Sequence, residues 1–307
     1  MSLPQHRWSV GFSLSLITAA LWGMMPLILK ALLDAGLDSL TIIWCRLLIS
    51  ALLVGAYYVT RRRVQWRVLL QPRAALLLAL AVAGLLGNYI LFLVGLHHTA
   101  PGAAQVLSQL APLLLLVGSV VVFKEAFSPL QGLGLIGVVI GLCLFFHHRF
   151  SAVEHFDAYG LGLLYLLMAA CSWAMFGMAQ KSLTRSVNSQ QVLLIIYVAG
   201  TLVYLPGASL AGIAQLGAWN ALLLFWASSS MVVSYVTLGA AMLRWDASRV
   251  SALLTTTPLF TLAYAEALAR WVPGYQAADR VDLLSWLGAA LVVLGSFVVA
   301  LPRRRKP

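Results

Sequence analysis

The sequence predicts an all-α membrane protein of ten transmembrane helices, arranged as two inverted repeats of five helices. Three observations lead to this fold class: a strongly apolar composition, recurring apolar runs of spanning length, and a second half that repeats the first. Of the 307 residues, 62% are hydrophobic and only 9% are charged, whereas soluble domains carry about 25% charged residues. The chain therefore lacks the polar surface that a soluble protein needs.

Ten apolar runs approach the length of about 20 residues that a helix needs to cross a bilayer. Turn residues such as Pro101-Gly102 separate most of them. The first run contains Trp22 and Pro26 and has no small-residue cleavage site, so we interpret it as a retained helix rather than a signal peptide. The predicted spans are 11–33, 39–59, 74–96, 102–123, 129–147, 159–181, 190–210, 219–241, 248–269 and 284–301.

The basic residues predict the orientation of these spans. The net charge is +11, but the charges form short clusters between apolar runs and no basic domain, which argues against a nucleic-acid partner. Four basic residues fall on one side of the predicted membrane: Lys30, Arg149, Arg270 and Arg280. Fifteen fall on the other side, which the positive-inside rule makes cytoplasmic. Both termini are on that side, as an even number of spans requires.

The two halves of the chain, 1–150 and 151–307, match at nearly constant offsets. Each half contains five spans, and because this number is odd the second copy enters the membrane from the opposite side. Inverted repeats of this kind are typical of transporters that open to the two faces in turn. The matched pairs are Trp22 with Trp173 and Lys30 with Lys181, Gln109 with Thr255 and Pro112 with Pro258, and Gly134 with Gly288 and Gly141 with Gly295.

These residues also carry a family resemblance. The pattern Trp22-Gly23 with Lys30, followed by Arg46, Pro112, Lys124-Glu125, Gly134 and Gly141, resembles the EamA-type branch of the drug/metabolite transporter superfamily. The resemblance covers nearly the whole chain. It implies ten helices in five-plus-five inverted repeats, cytoplasmic termini, and a central cavity lined by spans 1, 3, 4, 6, 8 and 9.

Known members of that family export amino acids and other metabolites, often by using the proton gradient, and the resemblance implies the same for this chain. The sequence departs from the family pattern at one place. The acid expected thirteen residues after the proline is Glu125 in the first half but Trp271 in the second, where Glu266 instead follows Pro258 by eight residues.

Polar and aromatic residues within the spans predict a substrate pocket. Gln105, Ser108, Gln109 and Pro112 recur at i, i+3, i+4 and i+7 on one face of the fourth span, and buried polar groups in membranes face protein or a water-filled cavity. The alternative is that these side chains hold helices together. The candidate substrate-binding residues are Trp22, Asn88, Tyr89, Gln105, Gln109, Trp173, Tyr235 and Thr255.

Three ionisable residues and two prolines inside the spans are candidates for gating or coupling. We expect Glu266 to pair with Lys30 or Arg46 near the outer end of the pathway; the alternative is that Glu266 faces water beside Arg270. Pro112 and Pro258 each free a backbone carbonyl and bend their helices, so they are candidate hinges. The candidate gating or coupling residues are Lys30, Arg46, Pro112, Pro258 and Glu266.

The sequence thus favours a secondary active transporter of the bacterial inner membrane that exports a small metabolite such as an amino acid, with the proton as candidate coupling ion. The alternatives are a passive facilitator or channel and, with less support, a membrane-embedded enzyme. We expect no catalytic residues, no cofactor and no metal: the three cysteines have no paired spacing, and we interpret the outer-side histidines as ordinary loop residues. The oligomeric state is left open, and a monomer is compatible with the sequence.

Overall fold

In a computed structural model of the chain, the structure describes residues 5–61, 71–124, 128–149, 157–183, 187–242, 253–272 and 282–300, together with Arg244 and Val250. Glu125, His155 and Ser251, along with several of the basic residues that set the predicted orientation, lie outside the described residues. The described residues are almost entirely helical and contain no strand.

Ten helices correspond one to one to the ten predicted spans, and the fourth consists of two pieces. They are α1 (Gln5–Asp34), α2 (Ser39–Arg61), α3 (Pro72–His98), α4a (Pro101–Leu107), α4b (Leu110–Phe123), α5 (Pro129–Phe145), α6 (Ala158–Leu183), α7 (Ser189–Tyr204), α8 (Ala218–Met242), α9 (Thr257–Trp271) and α10 (Leu283–Ala300). A one-turn helix, Leu210–Ala214, lies between α7 and α8.

Seven apolar helical segments among the described residues are long enough to cross a membrane. Two further helices, Pro129–Phe145 and Leu283–Val299, are also apolar but shorter. The ninth helix is the exception. It has 15 residues and carries Glu266 and Arg270 near its end. Val250, Leu253 and Leu254 are also helical, and a turn at residues 255–256 separates them from α9, so the ninth predicted span is divided in two as the fourth is.

Local sequence explains where several helices begin. Ser128 and Gln131 form a capping box, in which each side chain binds the other residue's backbone N–H, and Pro129 occupies the first turn. Asn188 caps α7 by accepting a hydrogen bond from the backbone of Gln190 at 2.9 Å. These caps satisfy N–H groups that a helix start would otherwise leave unpaired.

The packing of the helices relates the two halves. α3 packs most extensively against α6, and α8 packs against α1; α4b packs against α6, and α9 packs against α1. Under the sequence repeat, α1 corresponds to α6, α3 to α8, and α4 to α9. Each of these contacts between a helix of one half and a helix of the other therefore has a counterpart with the halves exchanged.

The closest helix crossing joins α5 to α10 through four glycines. A Cβ atom on Gly134 would lie 2.6 Å from the Gly295 carbonyl oxygen, and one on Gly141 would lie 2.7 Å from that of Gly288. The two backbones therefore touch, as small residues allow in membrane helices. Because the lower number of α5 meets the higher number of α10, the two helices are antiparallel.

Apolar side chains cover the outside of the bundle as well as its core. On α5, Leu133 is 66% exposed and Ile136 is 57% exposed, while Val138 on the opposite face is fully buried. A soluble protein would not leave so many large apolar side chains uncovered. This surface is suited to lipid, and the interior against which it packs contains the polar groups described next.

Candidate functional site

Trp22 and Tyr235, two predicted pocket residues, lie together between α1 and α8. The indole Nε1 of Trp22 donates a hydrogen bond to Ser234 Oγ at 3.0 Å, and the Trp22 and Tyr235 rings meet edge to face with centroids 6.0 Å apart. Ser234 is 1% exposed. The contact therefore joins the two halves of the chain well inside the bundle.

Arg46 lies beside this pair, on α2, and is 9% exposed. Its Nη2 donates a weak hydrogen bond to Met231 Sδ on α8 at 3.7 Å, and its guanidinium carbon lies 6.0 Å from the centre of the Tyr89 ring. That distance is at the outer limit of a favourable cation–π contact. Arg46 Nε has no hydrogen-bond partner within the described part of the chain.

Three tyrosines from different helices lie close enough to Arg46 to interact with its charge: Tyr89 on α3, Tyr197 on α7 and Tyr235 on α8. The hydroxyl groups of Tyr89 and Tyr197 are buried and have no hydrogen bond of ordinary geometry to any described residue, although the Tyr89 and Tyr235 hydroxyls lie near each other. We call Arg46, Tyr89, Tyr197 and Tyr235 the Arg46 cluster.

The fourth and ninth helices are both interrupted just before their prolines. In α4, the Gln109 N–H bonds to the Val106 carbonyl rather than to one four residues back, and the break separates α4a from α4b. Before α9, the Thr256 N–H bonds in the same way to Leu253. The helices are interrupted where Pro112 and Pro258 were expected to bend them, and the role of the two prolines as hinges stays a prediction.

Freed carbonyls at these breaks find new donors. Pro112 has no N–H for the Ser108 carbonyl, which accepts a bond from the Ala111 N–H at 3.1 Å instead. Near Pro258, the Thr257 hydroxyl donates to the Leu254 carbonyl. A turn bond at the first site and a side-chain hydroxyl at the second thus replace the helical bond that each proline cannot form.

The predicted polar residues of these two interrupted helices lie at or near the breaks. Gln109 is 7% exposed and Thr255 is 7% exposed, while Gln105 is half-buried one turn earlier. The side chains of Gln105 and Gln109 form no hydrogen bond within the described segments. Because α4a packs against both α1 and α9, the helix that carries Gln105 contacts the helix that carries Trp22.

Asn88 and Trp173 lie at a different place, the crossing of α3 and α6. Asn88 Nδ2 donates to the Ala169 carbonyl at 2.9 Å, and the Trp173 ring packs edge to face on Phe176 with centroids 6.4 Å apart. Nearby, Gly84 lets the α3 backbone approach α6 closely. No described contact joins Asn88 or Trp173 to the Arg46 cluster, so their role in binding stays a prediction.

The expected pairing of Glu266 is wrong. Glu266 Oε1 lies 2.9 Å from Arg270 Nη2, one turn further along α9, and both side chains are more than half exposed. Lys30 instead bonds to the His97 carbonyl at 2.9 Å and lies 3.5 Å from Asp34. Glu266 and Lys30 each pair with a residue four positions further along the same helix, because such a pair needs no alignment between distant helices.

Histidines gather at the end of α5 that faces the start of α10. His147 Nε2 and His148 Nε2 lie 3.4 Å and 3.1 Å from Asp282 Oδ2. Hydrogen bonds from the Ser285 backbone and side chain, with help from His148 and His147, lower the pKa of Asp282 to about 2. This group lies outside the helical spans and away from the Arg46 cluster.

Two residues that lie beside Arg46 were not predicted from the sequence: Tyr197 and Met231. Tyr197 is 1% exposed, and a tyrosine deep in an apolar span is a signal that its hydroxyl needs a partner. Met231 has no comparable signal, because methionine is an ordinary core residue. Their positions beside Arg46 depend on how α7 and α8 pack.

Comparison with known proteins identifies the arrangement. The model of the EamA-like transporter family matches residues 9–147 and, a second time, residues 160–301. The chain belongs to the EamA-like transporter family. The resemblance carried by Trp22, Arg46 and Pro112 is thereby confirmed, and the two matches each cover five helices.

Relatives of this chain in the EamA-like transporter family extend over almost its whole length. An uncharacterized inner membrane transporter of Escherichia coli (strain K12), YhbE, is 37% identical over 304 residues, which cover 98% of this chain and 94% of that protein. An uncharacterized transporter of Haemophilus influenzae is 31% identical over 298 residues, with 97% of each chain covered.

A solved crystal structure has the same fold. It superimposes with a TM-score of 0.63 at 18% sequence identity and covers 94% of this chain and 96% of its own. At this identity the likeness concerns the fold alone. Together with the apolar helices, membership of the EamA-like family makes this chain a multi-pass membrane transporter for a small molecule rather than a member of an enzyme family.

Proposed function

We propose that this protein is a secondary active transporter of the bacterial inner membrane that exports a small metabolite by alternating access. The observation that carries the proposal is the exchange of contacts between the halves: α1 packs against α8 and α9, while α6 packs against α3 and α4b. Because the two halves make equivalent contacts, they can exchange their arrangements. This exchange supports two conformations, each open to one face of the membrane.

The α5–α10 crossing supports an inverted rather than a parallel relation between the repeats. Gly134 and Gly141 correspond to Gly288 and Gly295 in the sequence repeat, and these helices run antiparallel where their glycines meet. Two copies related by an axis along the membrane normal would place corresponding helices in the same direction. An axis in the membrane plane reverses them.

The orientation of the proposed transporter follows from its charges. Basic residues predominate on the side that carries both termini, so we place the termini in the cytoplasm. The inner membrane location agrees with that of the Escherichia coli relative. Export of amino acids or similar metabolites, and the proton as coupling ion, extend what the family resemblance implies.

The substrate path in this proposal passes between the interrupted helices and the α1–α8 contact. Gln109 and Thr255 lie at the interruptions, and Trp22 with Tyr235 supplies aromatic surface between α1 and α8. Amides, hydroxyls and aromatic rings together suit a small amphipathic compound. Interruptions near mid-membrane also allow the helices to bend during the transition.

The test is a thermal-shift screen of the purified protein against a metabolite library, followed by counterflow in proteoliposomes with each stabilising compound. We expect Trp22→Ala and Gln109→Ala to reduce counterflow, while the exposed controls Trp219→Ala and Gln215→Ala leave it unchanged. If the two central variants transport normally, the proposed path is wrong.

The alternative of a passive facilitator is separated by imposing a pH gradient across the same proteoliposomes. Secondary active transport coupled to protons accumulates the compound above its outside concentration, and a facilitator only equalises the two. Counterflow without accumulation under any imposed ion gradient would favour the facilitator.

A further inference from the structure

Among the residues that the structure describes, the positive charge of the buried Arg46 cluster has no carboxylate partner. An arginine side chain keeps its charge at any physiological pH, and Arg46 is 9% exposed. Its described neighbours are three tyrosines and the sulfur of Met231. A buried cation is normally paired, because an unpaired one loses its hydration without compensation.

The carboxylates in the described part of the chain are all engaged elsewhere. The oxygens of Asp38 accept bonds from the Thr41 backbone and hydroxyl, Asp34 pairs with Lys30, and Glu266 pairs with Arg270. The remaining two, Asp157 and Asp282, each accept a backbone hydrogen bond at a helix start. None of these five lies within ion-pair distance of Arg46.

Several polar atoms around Arg46 also lack partners. Arg46 Nε and Tyr197 Oη are each buried and without a hydrogen bond to any described residue, and the buried Tyr89 Oη has only the Tyr235 hydroxyl near it. All three can donate: the guanidinium through its N–H groups and each tyrosine through its hydroxyl. Several donors and one full positive charge that lie near each other in a buried position, with no carboxylate acceptor among the described residues, suit the binding of an anion.

The composition of the cluster selects the kind of anion. A guanidinium binds a carboxylate through two parallel N–H bonds, and the tyrosine hydroxyls can add a third or fourth donor to the same two oxygens. One cation balances one negative charge, so a dianion such as phosphate would remain partly uncompensated. Trp22, in edge contact with Tyr235, is placed to receive an apolar group attached to that carboxylate.

We propose that the Arg46 cluster binds the carboxylate group of the transported metabolite, so that the substrates of this protein are small monocarboxylates, amino acids among them. The proposal rests on the transport function proposed above and names its substrate class. It also accounts for a charge that the packing of the helices does not need, because binding sites are often left unsatisfied until the ligand arrives.

The experiment compares matched probes on the purified protein: L-leucine with L-leucinamide, L-phenylalanine with L-phenylalaninamide, and benzoate with benzamide, with inorganic phosphate as a further anion. In wild-type protein, we expect at least one carboxylate at saturating concentration to raise the Tm by about 3 °C or more. Its amide and phosphate should not.

Two variants assign the effect to the cluster. Arg46→Gln should weaken binding of the stabilising carboxylate by about 30-fold or more, and Tyr197→Phe should weaken it to a smaller extent. The matched control is Arg270→Gln, which removes an exposed arginine and should leave binding unchanged. Without ligand, Arg46→Gln should unfold at the wild-type temperature or above it, whereas an arginine that holds the helices together would lower the Tm.

The results separate this proposal from the transport function. Equal stabilisation by amides and carboxylates, stabilisation by phosphate alone, or no stabilisation by any carboxylate overturns the carboxylate site. Should Arg46→Gln fail to fold, an unchanged carboxylate affinity in Tyr197→Phe together with equal amide binding in wild type overturns it as well. Counterflow of neutral or cationic compounds alone would support the transport function and reject the carboxylate site. Carboxylate binding without counterflow would support the site and reject the transport function.

Discussion

Trp22 on the first helix and Ser234 on the eighth share a hydrogen bond of 3.0 Å that crosses from one half of the chain to the other. Ser234 Oγ also donates to the Met231 carbonyl at 2.9 Å. The Ser234 hydroxyl therefore accepts a hydrogen bond from the first half of the chain and donates one within the second half. This relay fixes the indole beside Tyr235 and, through Met231, connects it with Arg46.

Ser234→Ala should destabilise the protein by about 1 kcal/mol, because the buried indole N–H loses its acceptor. Transport should fall as well, since Trp22 is no longer held against Tyr235. Thermal unfolding in detergent and counterflow measure the two effects. The control is Ser229→Ala: Ser229 is half-buried on the same helix and bonds only to carbonyls of its own preceding turn. Equal Tm values for the two variants would contradict the role of the hydrogen bond.

Gly141→Ala should destabilise the α5–α10 crossing by about 1–3 kcal/mol. The added methyl group would lie 2.7 Å from the Gly288 carbonyl oxygen, and a backbone atom cannot move aside as a side chain does. Gly137→Ala is the matched control on the same helix, because its methyl group would meet its nearest atom at an ordinary 3.6 Å. We expect that variant to be neutral or slightly stabilising. The Tm of each purified variant decides the comparison.

Asp282 should contribute stability that is lost only in strong acid. Hydrogen bonds from Ser285 lower its pKa from an ordinary 3.8 to about 2, so the folded state holds the proton less tightly than the unfolded state. The contribution is complete above the ordinary pKa and disappears as the pH falls through about 2. The Tm difference between wild type and Asp282→Ala should therefore persist from neutral pH down to about 5 and shrink below about 4. A difference that grows as the pH falls below about 4 would contradict the assignment.

Glu266→Gln should change stability by less than about 1 kcal/mol, because its pair with Arg270 is exposed and spans a single turn. The same variant tests the coupling role predicted for Glu266. A carboxylate that carries the coupled proton would flatten the pH dependence of transport when it is replaced by an amide, and an unchanged pH profile rejects this role. Asp34→Asn, which removes an exposed carboxylate that pairs with Lys30, is the control for surface charge.

Pro112→Ala should restore an N–H at the α4 interruption and favour a continuous helix. If bending there accompanies transport, the rate of counterflow falls while the affinity for the transported compound is kept. Pro258→Ala tests the equivalent position of the second half. Loss of affinity with an unchanged maximal rate would assign Pro112 to the shape of the binding site instead.

Much of the fold could be predicted from the sequence, because hydropathy and turn residues act locally. The ends of α2 and α3 lie within two residues of the predicted spans, and the prolines mark the interruptions. The turn at residues 255–256 that divides the ninth span was not predicted, because an apolar run does not reveal a turn within it. The glycines of α5 and α10 were recognised as repeat partners, although not as partners in contact.

The site was predicted less completely, because its members meet through long-range packing. Trp22 and Tyr235 were correctly expected inside the bundle, but nothing in the sequence places Tyr197 next to Arg46. The partner of Asn88 is a backbone carbonyl, a group that every residue carries, so no pattern identifies it. Glu266 could have formed an ion pair with several cations, and it pairs with the one on its own helix.

The glycine crossing of α5 and α10 has one more consequence. Residue 134 meets residue 295, and residue 141 meets residue 288, so each contact becomes the other when the halves trade places. This reciprocity is the rule for isologous surfaces between identical subunits. The chain thus contains, within a single polypeptide, the interface of a symmetric dimer. A substitution in either helix must therefore be accommodated by a partner helix that is its own repeat copy.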